Sequence, residues 1–147
     1  MGLTELVGQG TVAVDTALFI YLIEEHPRFL APVRALFALA DTGEIEIVTS
    51  ALTLLEVLVV PLRAGDLVLA AKYEALITRS RGVRVVDLSR DQLRTAARLR
   101  AQYGALRTPD ALQLAAAIST GCRSFVTNDR RMPEPDGLRV RQLSEFA

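Results

Sequence analysis

Short apolar runs rich in β-branched residues alternate along this chain with longer segments whose apolar residues recur every three to four positions. Val12 to Val14, Ile45 to Val48, Val83 to Val86 and Ser124 to Thr127 have the length and composition of buried strands, and Val140 marks a short fifth. The spacing of Leu18, Phe19, Leu22 and Ile23 predicts a helix over Thr16 to Glu24, closed by Pro27, and a second follows from about Phe29 to Asp41, ended by Gly43. Thr49 or Ser50 is placed to cap a helix from about Ala51 that carries Glu56; Pro61 and Gly65 interrupt it, and another helix runs from about Asp66 to Arg79. Ser89 with Gln92 is a capping box for a helix ending near Gln102, with Gly104 as its stop. Thr108 as N-cap, Pro109 in the first helical position and Asp110 in the first turn open the last helix, which ends near Ser119. Strands alternating with helices predict an α/β fold with a parallel sheet covered on both faces. Sites in such sheets lie beyond the carboxyl ends of the strands.

The chain has 147 residues, enough for one domain with a real core, expected over residues 11–147 after a short Gly-rich lead-in at 1–10 (Gly2, Gly8, Gly10). Acidic and basic residues number 17 each, so no global field draws the protein to nucleic acid or membrane, and any nucleic-acid surface must be local. Lys72 is the only lysine; every other basic residue is arginine, whose forked guanidinium suits phosphate, although genomic base composition produces the same bias. Cys122 is the only cysteine, which excludes an intrachain disulfide or a thiolate metal cluster and fits a reducing interior. No apolar run reaches the roughly 20 residues of a membrane span, and Met1 to Gly10 lacks the pattern of a secretory signal, so a cytoplasmic location is expected.

Four carboxylates fall where this architecture sends residues to one end of the sheet. Asp15 and Asp129 directly follow predicted strands, Asp110 opens a helix that leads into one, and Glu56 is the only charge between Glu46 and Arg63. Each has a plain structural alternative. Asp15 in that place serves as a helix cap, Asp110 complements a helix dipole, and Asp129 serves as a polar turn residue or pairs with a neighbouring arginine. Glu56 stands inside the apolar segment Leu52 to Leu62, where a buried carboxylate has to be paired, hydrated or metal-bound. A shared pocket accounts for all four at once. Clustered carboxylates repel unless a cation compensates them, and oxygen-only ligands suit Mg²⁺ or Mn²⁺, whereas the lone His26 and Cys122 cannot form a zinc set. Phosphodiester hydrolysis is the chemistry such a site serves.

Four stretches then resemble the PIN domain, and more narrowly the VapC-type toxins of bacterial toxin–antitoxin pairs. They are Val14-Asp15-Thr16 with Leu18-Phe19-Ile20-Tyr21-Leu22, Thr53-Leu54-Leu55-Glu56-Val57, Thr108-Pro109-Asp110-Ala111-Leu112-Gln113-Leu114-Ala115, and Val126-Thr127-Asn128-Asp129-Arg130-Arg131. The resemblance spans roughly Thr11 to Leu143. It implies a three-layer α/β/α sandwich around a five-stranded parallel sheet, metal-dependent endoribonuclease activity, a homodimer, and inhibition by a small cognate antitoxin. It assigns metal binding and catalysis to Asp15, Glu56, Asp110 and Asp129, and a supporting hydroxyl to Thr127. Ala17 departs from the pattern, standing where many members carry Asn or Ser. RNA would need a local basic patch, for which Arg107, Arg130 and Arg131 are the candidates; solvated surface arginine is their structural alternative.

Other α/β sites fail on residue type. Gly8 and Gly10 precede the first strand instead of following it, which excludes a dinucleotide fingerprint, and Lys72 is misplaced for a receiver domain. Ala17 stands where a haloacid-dehalogenase-like phosphatase needs a second aspartate. The alternative from a different class is a PIN-like fold that binds RNA or a protein partner without cutting.

Overall fold

The computed structural model describes Gly2, Leu3, Glu5, Gly8 and residues 10–146. Five strands, β1 (Gly10–Val14), β2 (Ile45–Ser50), β3 (Val83–Val86), β4 (Ser124–Thr127) and β5 (Arg139–Gln142), form one parallel sheet in the order β3-β2-β1-β4-β5. Six helices connect them: α1 (Thr16–Ile23), α2 (Leu30–Asp41), α3 (Leu52–Arg63), α4 (Leu67–Arg79), α5 (Arg90–Gln102) and α6 (Thr108–Ser119), followed by a short 3₁₀ turn at Leu143–Phe146. Of the lead-in expected at residues 1–10, positions 1, 4, 6, 7 and 9 lie outside the described residues, as does position 147; Leu3 is buried in the core and Gly10 already pairs with Ile45.

The pleat of the sheet sorts the core into two clusters, because successive strand residues point to opposite faces. Val12, Val14, Ile47 and Val126 face α1 to α4, where Leu18, Phe19, Val33, Leu36, Tyr73 and Ile77 close the first layer. Ala13, Val48 and Phe125 face α5 and α6, packing on Ala96, Leu99, Leu114 and Ala115. This is the α/β/α sandwich that the alternation and the resemblance predicted.

Local rules set most of the boundaries. Ser50 Oγ accepts from Leu52 N at 3.1 Å at the start of α3, and Ser89 Oγ accepts from Gln92 N at 3.1 Å at the start of α5. Two expectations fail. Pro61 does not interrupt α3, which continues to Arg63: the ring falls in the last turn, where only one helical bond is lost. The stop comes from Gly65 at φ +69°, with Gly65 N donating to Leu62 O and Asp66 N to Pro61 O, a Schellman closure. Thr108 is the first residue of α6 and not its cap; its hydroxyl accepts from Arg100 Nη1 at 2.9 Å, and Arg107 occupies the cap position without a side-chain bond.

Candidate active site

The strand order reverses between β1 and β4: β1 to β3 step outward with α1 to α4 on one face, and the chain returns through α5 and α6 on the other face to set β4 beside β1. Asp15 leaves β1 at this point, its N–H still donating to Val126 O of β4 at 2.9 Å. The carboxylate is mostly buried and fully engaged: Oδ1 accepts from Thr16 N at 2.8 Å, capping α1, and Oδ2 accepts from the Thr127 hydroxyl at 2.7 Å. Capping and a place in the site are therefore compatible roles for one side chain.

Glu56 reaches the same place from α3. Its Oε1 accepts from the Thr16 hydroxyl at 2.9 Å and lies 3.4 Å from Gln113 Nε2. Thr16 thus holds Asp15 with its backbone N–H and Glu56 with its side chain. The expectation that Glu56 is buried fails, because the residue is exposed along with its neighbours Leu55, Val59, Val60 and Leu62. An apolar stretch of sequence here makes an apolar surface, so the burial argument for Glu56 lapses and its placement rests on Thr16 and Gln113.

Asp110 stands in the first turn of α6, because that helix descends into β4 and so begins at the opposite, carboxyl edge of the sheet. It pairs with Arg107, Nε to Oδ2, at 3.5 Å. Asp129 follows β4. Its N–H donates to Thr127 Oγ1 at 3.0 Å, while its carboxylate is gripped by Arg131 through the backbone N–H at 2.9 Å and two guanidinium contacts at 3.1 and 3.2 Å. Gln142 Nε2 ties the Asp129 carbonyl to β5 at 3.0 Å. The buried Thr127 thereby donates to one acid and accepts from the backbone of another.

The charges divide unequally. Burial above all, then the negative charges of Asp110 and Glu56, push the Asp15 carboxyl up, against the hydrogen bonds from Thr127 and Thr16. Asp129 is held below its ordinary value chiefly by its hydrogen bonds from Arg131, with Arg107 contributing. Among the described residues neither Asp15 nor Glu56 forms an ion pair, whereas Asp110 and Asp129 each have an arginine. Oxygen donors with uncompensated negative charge suit a hard divalent cation. As the side chains stand, however, no three acidic, histidine or cysteine side chains among the described residues converge closely enough to hold one ion. The reason is visible in the bonds above, since two acids turn toward arginines and both Asp15 oxygens are engaged.

Arg107, Arg130 and Arg131 are all exposed beside the acids, and Arg130 contacts Ser144 at 3.4 Å. The sequence reading missed Thr16, Thr53 and Gln113 as parts of this cluster; two hydroxyls and an amide spread over three helices carry no local signal. A depression lined by Gly10, Thr11, Gly43, Glu46 and Gly82 lies at the opposite end of the sheet and takes no part in the site.

The chain matches the PIN domain over residues 12–138, and it belongs to that family. Its fold is shared with solved toxin–antitoxin structures. VapBC2 of Rickettsia felis, bound to a DNA fragment from its promoter, matches with a TM-score of 0.69 at 19% identity, over 90% of this chain and 98% of that one. DNA-bound VapBC of Salmonella typhimurium gives 0.62 at 21%, over 90% and 98%. VapC20 of Mycobacterium tuberculosis, a toxin that cleaves the sarcin-ricin loop, gives 0.63 at 21%, over 78% and 86%. No curated protein matches the chain.

Proposed function

We propose that this protein is a metal-dependent endoribonuclease, the toxin of a VapBC-type toxin–antitoxin pair. The observation that carries the proposal is the pairing of Asp15 and Glu56 on the two donors of Thr16, at the switch point of the sheet and without a basic partner. In this reading Asp15, Glu56, Asp110 and Asp129 hold Mg²⁺ or Mn²⁺. When bound, the ion lowers the pKa of a water and offsets charge on the phosphodiester. Thr127 and Thr16 keep the Asp15 oxygens aimed into the site. Arg107, Arg130 and Arg131 supply the local basic surface for RNA phosphates that a chain of zero net charge otherwise lacks. The family membership and the toxin structures above support the assignment.

An exposed apolar ridge supports a protein partner. Leu55, Val60, Leu67 and Val68, on α3 and α4, are 60%, 69%, 70% and 69% exposed. Isolated apolar side chains need no explanation, but several large ones exposed on two adjacent helices suit an interface. In this proposal a second copy of the chain or the cognate antitoxin covers it. The apolar stretch Leu36 to Leu39 of α2 belongs to the core, with Leu36 buried and Phe37 and Leu39 packed against the core cluster. No helix among the described residues is long and apolar enough to cross a membrane.

One observation favours a second reading. With Asp110 and Asp129 bound to arginines, the acids do not yet form a ligand set, as expected of a PIN-like module that binds RNA or protein without cutting. Incubating purified protein with RNA in Mn²⁺, and again with a chelator, separates the two. Cleavage that needs Mn²⁺ and vanishes in Asp15→Asn is expected; RNA that is bound but never cut under either condition supports the binding module.

A further inference from the structure

The acids are backed by a buried polar cluster that joins three helices to β2. Gln113 of α6, only 2% exposed, places its Nε2 2.9 Å from Thr53 Oγ1, 3.2 Å from Thr16 Oγ1 and 3.4 Å from Glu56 Oε1. Thr53 and Thr49 hydroxyls lie 2.7 Å apart, and Thr49 donates to Val14 O at 3.4 Å. A carboxylate oxygen only accepts, so the Thr16 hydroxyl donates to Glu56 and accepts from Gln113, whose other amide proton goes to Thr53. The 2.7 Å bond between Thr49 and Thr53 and the 3.1 Å contact between Thr16 and Thr53 admit either donor, and the Gln113 amide bridges the Thr16 and Thr53 oxygens whichever way those protons run. Reversing that amide would set its carbonyl oxygen against Glu56, which favours the observed orientation even though it leaves the buried Gln113 Oε1 without a hydrogen-bond partner.

We propose that Gln113 is a positioning residue: by bridging Thr16 and Thr53 it commits the Thr16 hydroxyl to Glu56 and so fixes this exposed carboxylate beside Asp15. The inference rests on the metal-dependent nuclease reading and deepens it. Among the described residues no other hydrogen bond holds Glu56, which stands on an exposed helix face. Without the amide, the Thr16 hydroxyl is free to turn its proton from Glu56 to the Thr53 oxygen 3.1 Å away, which releases Glu56.

The test is Gln113→Met, which keeps the length of the side chain and removes the donors. Mn²⁺ affinity is measured by calorimetry, RNA cleavage as separate kcat and KM, and folding by thermal melting. The expected result is a folded protein with Mn²⁺ affinity weakened about tenfold, kcat lowered about ten- to a hundredfold and KM for RNA within about twofold. A variant that melts lower but binds Mn²⁺ and cuts like wild type overturns the proposal, because Gln113 is then core structure alone. Should Gln113→Met not fold, Thr16→Val decides on the same readouts, with Thr16→Ser expected to restore the loss. Wild-type values in Thr16→Val overturn the proposal. If the wild type binds Mn²⁺ but never cuts, the nuclease reading fails by itself and the Mn²⁺ affinities still decide the role of Gln113. A wild type that neither binds Mn²⁺ nor cuts overturns both.

Discussion

Asp15 carries its charge at a cost to the fold. Burial, Asp110 and Glu56 raise its carboxyl above the ordinary 3.8, so folding favours the protonated form. Its contribution to stability is fully present below the unfolded pKa and is lost as the pH rises through the raised folded value. At pH 7 the ionised side chain is therefore a destabilising one. Asp15→Asn should melt at or above the wild-type temperature at pH 7, with the advantage gone below about pH 4, and should lose all RNA cleavage. A calorimetric melt at both pH values checks this, and a clear drop at pH 7 would refute it. Thr127 acts in the opposite sense, since its hydroxyl favours the charged Asp15. Thr127→Val is expected to slow cleavage about tenfold and to move the acid limb of the pH–rate profile upward, while Thr127→Ser leaves both close to wild type. At the residue scale the sequence located the acids by spacing, but it misjudged why Glu56 matters. The lone charge in an apolar run looked buried, and three-dimensional packing turned that face of α3 outward.

The elements bring these residues together through lengths and stops that are themselves local. α6 has 12 residues, about 18 Å of helix, which carries Asp110 back across the sheet from the start of β4 to its carboxyl edge. The inner strands β1, β2 and β4 were legible because burial on both faces makes them largely apolar runs, and the Ser89 cap was legible because its hydrogen bond is local. Pro61 was misread as a break because proline reports a lost hydrogen bond, while the residues that end α3 are Gly65 and Asp66. Gly82 shows a constraint of another kind. It precedes β3 at φ +77°, its carbonyl accepts from Ile47 N at 2.7 Å, and a Cβ built there would lie 2.2 Å from Ala40 O. Gly82→Ala should destabilise the protein on the order of 2–4 kcal/mol, from left-handed strain and the clash together. Chemical denaturation measures it, and a loss below about 0.5 kcal/mol would contradict the geometry.

At the scale of the whole molecule, the apolar side chains exposed on α3 and α4 are the surface proposed for a protein partner. Light scattering of the purified chain, alone and with a co-expressed antitoxin, should give a mass above the 16.0 kDa of one copy in at least one case. The double substitution of Leu67→Glu and Val68→Glu should reduce it to the monomer without slowing RNA cleavage. A wild type that remains monomeric in both preparations would leave the ridge without its proposed role. Strand and helix periods, caps and the residues of the PIN motifs are properties of neighbours in sequence, and so the chain by itself determined its class, its element order and the positions of its four acids. Strand order is not such a property. Placing β4 beside β1, with β2 on the other side, is decided by how whole layers pack, and that choice puts Thr127 against Asp15 across 112 positions and Gln113 against Thr16 across 97. The tertiary structure alone decided which acids share donors, which turn to arginines, and that Glu56 stands on the surface, because each depends on contacts between elements that no local pattern encodes.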